Sequence, residues 1–468
     1  MLEKTDKTLY ICIGKTDTSM LYRKIYKEIV NFFASSSKEA LLVTGARQIG
    51  KSYVIREFGK KHFKNFVEIN FLENLEAASA FEGAQNAQDI LLRLSAITNQ
   101  PMPKGKTLIF LDEVQCVPDV LTAIKFLVED GSYRYVLSGS LLGIELRNIR
   151  SVPVGFMTIK QMYPLDLEEF FIACGVQPRV FKTLADSFEQ LKPVDEIVHK
   201  KLMQLFRLYM IVGGMPAAVQ TYIDTNNLQE VLAVQKSILQ MYRADISQYD
   251  TDNKLYIEDI FDLIPAELNA QNKRFILKKL NENLKFNRFE DSFIWLREAG
   301  VALPVYNVEA PAEPLELAKQ RNLFKLFSND VGLLACQYAE GIQLRILNNE
   351  DSINYGAIYE NAVAQEFKSH GFKLFYFNSK KQGEIDFVFS IDGDVVPVEV
   401  KSGKTYARHN ALKNVMGNDL YNIKRAYVLN NNNLQTNGNI VYIPIYMAMF
   451  IKKTVLPNMT YKIDLDGL

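Results

Sequence analysis

Eight residues constrain this chain more than any others. Gly45-Ala46-Arg47-Gln48-Ile49-Gly50-Lys51-Ser52 fits G-x-x-x-x-G-K-[ST] at every fixed position. The residue types follow from the work such a loop does. Glycine lets the backbone curl so that successive N–H groups point at one anion. A helix that starts where the loop ends adds the positive end of its dipole. Lys51 is then placed to reach the β and γ phosphates of a nucleotide, and Ser52 to supply an oxygen to Mg²⁺. The context agrees: Leu41-Leu42-Val43-Thr44 is a short apolar run before the loop, and Ser52 to Lys60 is helix-competent after it.

More strand-like runs follow at Phe66 to Asn70, Thr107 to Leu111 and Tyr133 to Leu137, with polar helix-competent stretches such as Asp89 to Ala96 between them. That alternation predicts an α/β fold with a parallel sheet flanked by helices. The run Leu108 to Leu111 ends in Asp112-Glu113. In a parallel sheet the carboxyl ends of the strands line the ligand crevice. Asp112 is therefore expected to hold Mg²⁺, directly or through water, and Glu113 to polarise an attacking water. Ser138 or Ser140, at the polar end of the Tyr133 strand, is placed to sense the γ-phosphate, and Ser140 joins the candidate site. The site for ATP and Mg²⁺ is thus Gly45 to Ser52 with Asp112 and Ser140. Ser52 and Asp112 are the metal ligands, and Lys51 and Glu113 the catalytic groups.

Length and composition set the frame. The 468 residues suggest about three domains. Lys plus Arg and Asp plus Glu are 54 each, which with 48% hydrophobic residues excludes a disordered chain and a whole-chain polycation. Cys12, Cys116, Cys174 and Cys336 lie far apart, as do the histidines His62, His199, His370 and His409. Neither a zinc motif nor a disulfide framework is legible, and a reducing compartment fits. The apolar stretch Val441 to Ile451 falls short of the ~20 residues that span a bilayer, and the start Met1-Leu2-Glu3-Lys4 has no signal-peptide core. A soluble cytoplasmic protein with no membrane partner is expected.

From about Pro164 to Asn287 the chain reads mostly helical, with Ile257-Ile260-Phe261-Ile264 at helical spacing. Gly213-Gly214-Met215-Pro216 interrupts it as a turn or helix start. Arg288 to Gly300 reads as an amphipathic helix and Val301 to Tyr306 as a strand. Helices followed by a wing over residues 255 to 310 would offer Lys285, Arg288 and Arg297 to DNA, with an affinity that falls as salt rises. Ala310 to Pro314 is a surface connection. The expected domains are 1–165 (ATPase), 166–310 (helical, winged helix) and 311–468 (mixed α/β).

A second constellation lies in the last domain. Glu384-Ile385-Asp386-Phe387-Val388-Phe389 and Val395-Val396-Pro397-Val398-Glu399-Val400-Lys401 flank Asp392-Gly393, a strong two-residue hairpin signal. With that loop, opposite residues have numbers summing to 785, so Asp386 faces Glu399 and Glu384 faces Lys401. Ile385–Val400, Phe387–Val398 and Phe389–Val396 then share the apolar face. Opposed carboxylates sit about 5 Å apart and repel. A divalent cation on Asp386 and Glu399 would neutralise them, with Lys401 beside a scissile phosphate. A solvated charged face on an edge hairpin is the other reading of the same residues.

Taken together these segments resemble the bacterial and archaeal AAA-type P-loop ATPases that carry a C-terminal domain of unknown function with a nuclease-like core. The likeness runs over nearly the whole chain: Gly45 to Gln48, Leu111 to Gln115, Tyr163-Pro164-Leu165 with Glu169-Phe170, Gly213 to Pro216, Phe327 to Leu334, and Glu399-Val400-Lys401. Asp386, Glu399 and Lys401 are similar to the PD-(D/E)XK arrangement, and Glu360 matches the acid those nucleases place on a preceding helix. One departure is Gly155-Phe156, where the family usually has arginine after the glycine; Arg147 and Arg150 are the other candidates for an arginine finger. The resemblance implies ATP binding, hydrolysis and action on DNA or RNA. The alternative is a nucleotide-dependent switch whose inactive nuclease-like domain binds protein or nucleic acid. Oligomeric state stays open.

Overall fold

The computed structural model describes residues 20–454 and 463, apart from 75, 85, 99, 140–154, 250–253, 271–272, 277–279, 281–288, 340, 351–354 and 404–405. Five parallel strands form the first sheet: β1 (Ala40–Thr44), β2 (Asn65–Asn70), β3 (Thr107–Asp112), β4 (Arg134–Gly139) and β5 (Met157–Gln161), in the order β2-β3-β4-β1-β5. Strand alternation sorts the side chains of β1 onto two faces. Leu41 and Val43 pack with Ile25, Ile29, Val54 and Phe58 of the helices Lys24–Ala34 and Lys51–His62. Ala40 and Leu42 pack with Ile90, Leu94, Val120 and Ile124 of the helices Ala87–Thr98 and Asp119–Asp130. Burial on both faces explains the near-continuous apolar runs. β5 is the half-exposed edge, so no apolar run marks it in the sequence.

The expected helical stretch follows as Leu167–Ala173, Pro178–Glu189, Glu196–Val212, Pro216–Thr225, Leu228–Tyr249 and Lys254–Asn269. Asp166 and Glu169 form a capping box at its start. Among the described residues no helix is long and apolar enough to cross a membrane.

Eight strands form the second sheet: β6 (Ala302–Val308), β7 (Lys319–Ser328), β8 (Phe375–Ser379), β9 (Gly383–Ile391), β10 (Asp394–Val400), β11 (Ala426–Asn430), β12 (Gln435–Asn437) and β13 (Ile440–Pro444). Their order is β12-β13-β11-β10-β9-β8-β6-β7. The strand read as a wing is β6, and it is no wing: it lies inside this sheet, bonded to β7 and β8. The sheet therefore begins before residue 310, where the sequence suggested a boundary. Lys285 and Arg288 lie outside the described residues.

The β9–β10 hairpin has the register read from its turn from Ile391 opposite Asp394 to Phe387 opposite Val398; beyond that Ile385 and Val400, expected on one face, pack into different cores, where β9 also shifts register against β8. The hairpin is not an edge. Phe387, Phe389, Val396 and Val398 pack with Phe367 of the helix Gly356–Ser369, whose ring lies 4.9 Å from that of Phe389. On the opposite side Val388 and Val395 pack with Leu412 and Val415 of the helix Asn410–Met416. The second face is thus interior, not a solvated charged surface.

The Gly213-Gly214 turn joins the three parts. Leu165 N–H donates to Gly214 O at 2.7 Å, and Gly214 N–H to Asp330 Oδ2 at 2.6 Å. A Cβ on Gly214 would lie 2.1 Å from Leu165 O, so only glycine fits that approach. Asp330 also caps the helix Val331–Cys336, and burial raises its pKa to about 6. One apolar core runs from Ile25 to Ile451 through all three parts.

Candidate functional site

The strand order sets the site. With β4 between β1 and β3, the ends of the three strands open side by side at Gly45, Ser138 and Asp112. The loop after β1 curls through positive φ at Gly45 (146°), Gln48 (65°) and Gly50 (88°). Lys51 begins the next helix and is buried. Its Nζ donates to the carbonyls of Gly45 (3.0 Å) and Ala46 (2.8 Å), folded onto its own loop. Burial lowers the Lys51 pKa to about 8, against the pull of the Glu113 and Asp112 charges.

Asp112 gathers four donors. Its Oδ1 accepts from Ser52 Oγ at 3.0 Å, from the Glu113 backbone N–H at 3.1 Å and from Ser138 Oγ. Its Oδ2 accepts from Asn70 Nδ2 at 3.2 Å. The Ser52 hydroxyl and Asp112 carboxylate, side by side, are the hard oxygen donors that Mg²⁺ takes. Glu113, at φ 61°, accepts from the Gln115 side chain through Oε2. Ser138 is thus the serine at Asp112. Ser140, Arg147 and Arg150 lie outside the described residues, and Phe156 carries Lys125 Nζ over its ring at 5.6 Å.

The outer side of the loop is covered by parts of the chain that sequence reasoning did not assign to it. Buried Arg23 donates to Ile49 O at 2.8 Å and to Tyr163 O, and pairs with Glu169 at 3.2 Å. From the helix Leu228–Tyr249, Tyr242 Oη donates to Arg47 O at 3.2 Å and Asp245 pairs with the Arg47 guanidinium. Burial and the Glu113 charge raise the Asp245 pKa despite Arg47. Gly300 lies so close that a Cβ there would be 3.1 Å from Ala46 N. None of these residues carries a motif; an arginine before a helix or an acid within one is ordinary in a sequence.

The second constellation also converges. Glu360, Asp386 and Glu399 are all buried, and Lys401 Nζ lies 2.7 Å from Glu399 Oε2. Val400 N–H donates to Asp386 Oδ2 at 2.9 Å. The surprise is Lys325 of β7, fully buried. Its Nζ lies 2.7 Å from Glu384 Oε1, 3.5 Å from Glu360 Oε2 and 3.8 Å from Asp386 Oδ1. Lys273 pairs with the other oxygen of Glu360. Glu384 thus pairs with Lys325, and Lys401 with Glu399. Burial pushes Lys325 down, but Glu360, Asp386 and Glu384 outweigh it and raise its pKa. Burial and the Asp386 charge push Glu399 up to about 8. Burial also favours neutral Asp386, yet Lys325, Lys273 and Lys401 hold it below its ordinary value. The sequence signal for Lys325 was its position inside the apolar run Leu323-Phe324-Lys325-Leu326-Phe327.

Residues 37–171 match the AAA domain family AAA_14. They fold as an AAA-type P-loop ATPase domain. Residues 203–344 match a domain of unknown function, DUF8612, and residues 355–448 another, DUF4143. Among curated proteins none matches the chain. Among solved structures, the Walker-type ATPase PABY2304 of Pyrococcus abyssi is 12% identical, with a TM-score of 0.40 over 68% of this chain and 96% of that one. The Aeropyrum pernix ORC1 protein in complex with DNA is 12% identical, with a TM-score of 0.28 over 69% of this chain and 92% of that one. The Thermotoga maritima RuvB Holliday junction branch migration motor is 13% identical, with a TM-score of 0.28 over 60% and 89%. The AAA-type fold of the N-terminal domain supports nucleotide binding and hydrolysis; nothing in these matches speaks for a nuclease.

Proposed function

We propose that this chain binds and hydrolyses Mg-ATP at Gly45 to Ser52, and that its nuclease-like C-terminal domain is a non-cutting body governed by the nucleotide state. The observation that carries the first half is the Ser52–Asp112 contact at 3.0 Å beside the Lys51 ammonium. Lys51 leaves the carbonyls of Gly45 and Ala46 for the β and γ phosphates. The backbone amides of residues 45 to 51 hold the phosphates, and Ser52 and Asp112 would hold Mg²⁺. When bound, the ion neutralises charge on the transferred phosphoryl group. Glu113 exchanges its bond from Gln115 for a water and orients it. Phe156, in place of arginine, accords with slow turnover.

Lys325 supports the second half. Its ammonium, with those of Lys273 and Lys401, already offsets much of the charge of Glu360, Glu384, Asp386 and Glu399 that a catalytic cation would otherwise neutralise. The domain then binds a protein or nucleic acid and cuts nothing. The competing reading, a metal-dependent nuclease, draws on the convergence of Asp386, Glu399, Lys401 and Glu360 and would set a divalent ion on Asp386 and Glu399 beside Lys325. Phosphate release should fall at least ~10²-fold in Lys51→Ala and in Glu113→Gln, the latter still binding ATP. DNA and RNA incubated with Mg²⁺ or Mn²⁺ should stay intact with wild type and Glu399→Gln alike. Cleavage lost in Glu399→Gln would instead establish the nuclease.

A further inference from the structure

Asp166 lies far from Glu366 and His370 in the sequence, and the fold brings the ligand atoms of all three within 4.8 Å of one another. Asp166 caps the helix Leu167–Ala173, inside the stretch that matches the AAA domain family. Glu366 and His370 stand one helical turn apart at the end of the Gly356–Ser369 helix of the C-terminal part. Glu366 is wholly buried. Its Oε2 accepts from Leu167 N–H at 2.9 Å, while Oε1 has no hydrogen-bond partner. Across from Oε1 stands the His370 ring; a buried carboxylate oxygen is costly unless a cation meets it, whether an imidazolium or a metal ion. His370 Nδ1 lies 2.8 Å from Ile451 O. A carbonyl only accepts, so Nδ1 carries the proton and Nε2 holds the lone pair in the neutral ring. That backbone bond on the far nitrogen is how metal-binding imidazoles are oriented. Nε2 also lacks a hydrogen-bond partner, and it lies 3.3 Å from Glu366 Oε1. The distance matches the roughly 3.4 Å edge of a tetrahedron with bonds of about 2.1 Å.

We propose that Asp166, Glu366 and His370 form a divalent-metal site of the zinc class that rivets the ATPase domain to the C-terminal part. One imidazole nitrogen and two carboxylate oxygens are a donor set that Zn²⁺ accepts. Asp166 and His370 also line a cavity of about 260 Å³, with Tyr163, Ser369 and Lys452, which leaves room for a fourth ligand. Lys24, 2.5 Å from Asp166 Oδ2, partly offsets the charge and leaves Asp166 lone pairs for the ion.

The test uses the full chain, stripped with EDTA, at pH 7.5 and without nucleotide. Titration with Zn²⁺ should show one equivalent bound that survives in Asp112→Asn and weakens at least tenfold in both His370→Gln and Glu366→Gln. Zn²⁺ should also raise Tm by a few degrees in wild type and Asp112→Asn alone. Co²⁺ on the wild-type chain should give the visible absorption of a tetrahedral site, a reading that does not depend on the variants folding. No stoichiometric Zn²⁺, binding unchanged in His370→Gln, or only six-coordinate Co²⁺ would each overturn the proposal.

Discussion

Lys51 shows how one residue links the resting loop to its ligand. Its pKa stands at about 8 because burial disfavours the ammonium. Below that pH the lysine enters binding already charged; above it, binding must also bring a proton. ATP affinity should therefore be flat up to about pH 8 and fall about tenfold per unit beyond, as titrations from pH 7 to 9.5 would report; an affinity flat to pH 9.5 would mean Lys51 does not meet the phosphates. Lys325 answers to the same logic. Removing it in Lys325→Met leaves Glu360 and Asp386 buried beside half-buried Glu384 without its charge, and should cost about 3–5 kcal/mol in denaturant unfolding. Glu399 gives the opposite sign from a salt-bridged acid. Its folded pKa, raised to about 8, lies above its ordinary 4.5. The folded state holds a proton there that the unfolded chain has lost, so this contribution fades as pH rises from about 4.5 to 8. Glu399→Gln should flatten the decline in stability over that window; Glu169 and Asp330, raised to about 7 and 6, keep part of it.

At the scale of elements, the nucleotide loop was legible because its chemistry admits few residue types, and the hairpin because its two-residue turn fixes the pairs from Ile391–Asp394 to Phe387–Val398, though not the ones beyond them. The helix Leu228–Tyr249 was legible as a helix only. That it seats Tyr242 and Asp245 on Arg47 depends on tertiary packing, which leaves no local pattern. β6 misled for the same reason: a helix followed by a short strand looks alike whether the strand is a wing or an interior member of a larger sheet. The Arg47 contacts imply coupling. When Lys51 turns from the loop carbonyls to phosphate, the loop tip that Tyr242 and Asp245 hold must adjust. Amide exchange around residues 238–246 should change on adding Mg-ATP, while the helix Asp119–Asp130, on the far side of the sheet, should not; no change at 238–246 would uncouple that helix from the site.

The whole molecule is held by a core common to its three parts and by the Gly213-Gly214 turn between Leu165 and Asp330. Composition spoke for about three domains but could not show that they share an interior. Calorimetry should accordingly find one dominant transition, and Gly214→Ala, whose Cβ would meet Leu165 O, should lower its midpoint, the overpacking costing about 1–3 kcal/mol or more. Two separate transitions would mean that the parts fold independently. The central claim is that the loop at residues 45 to 52 and Asp112 make one Mg-nucleotide site. Equilibrium titration with ATP and Mg²⁺ tests it most directly. Saturable binding by the wild-type chain, weakened at least ~10²-fold in Lys51→Ala and made insensitive to Mg²⁺ in Asp112→Asn, is the predicted result. Wild-type affinity in both variants, or no binding by the wild-type chain, would contradict it.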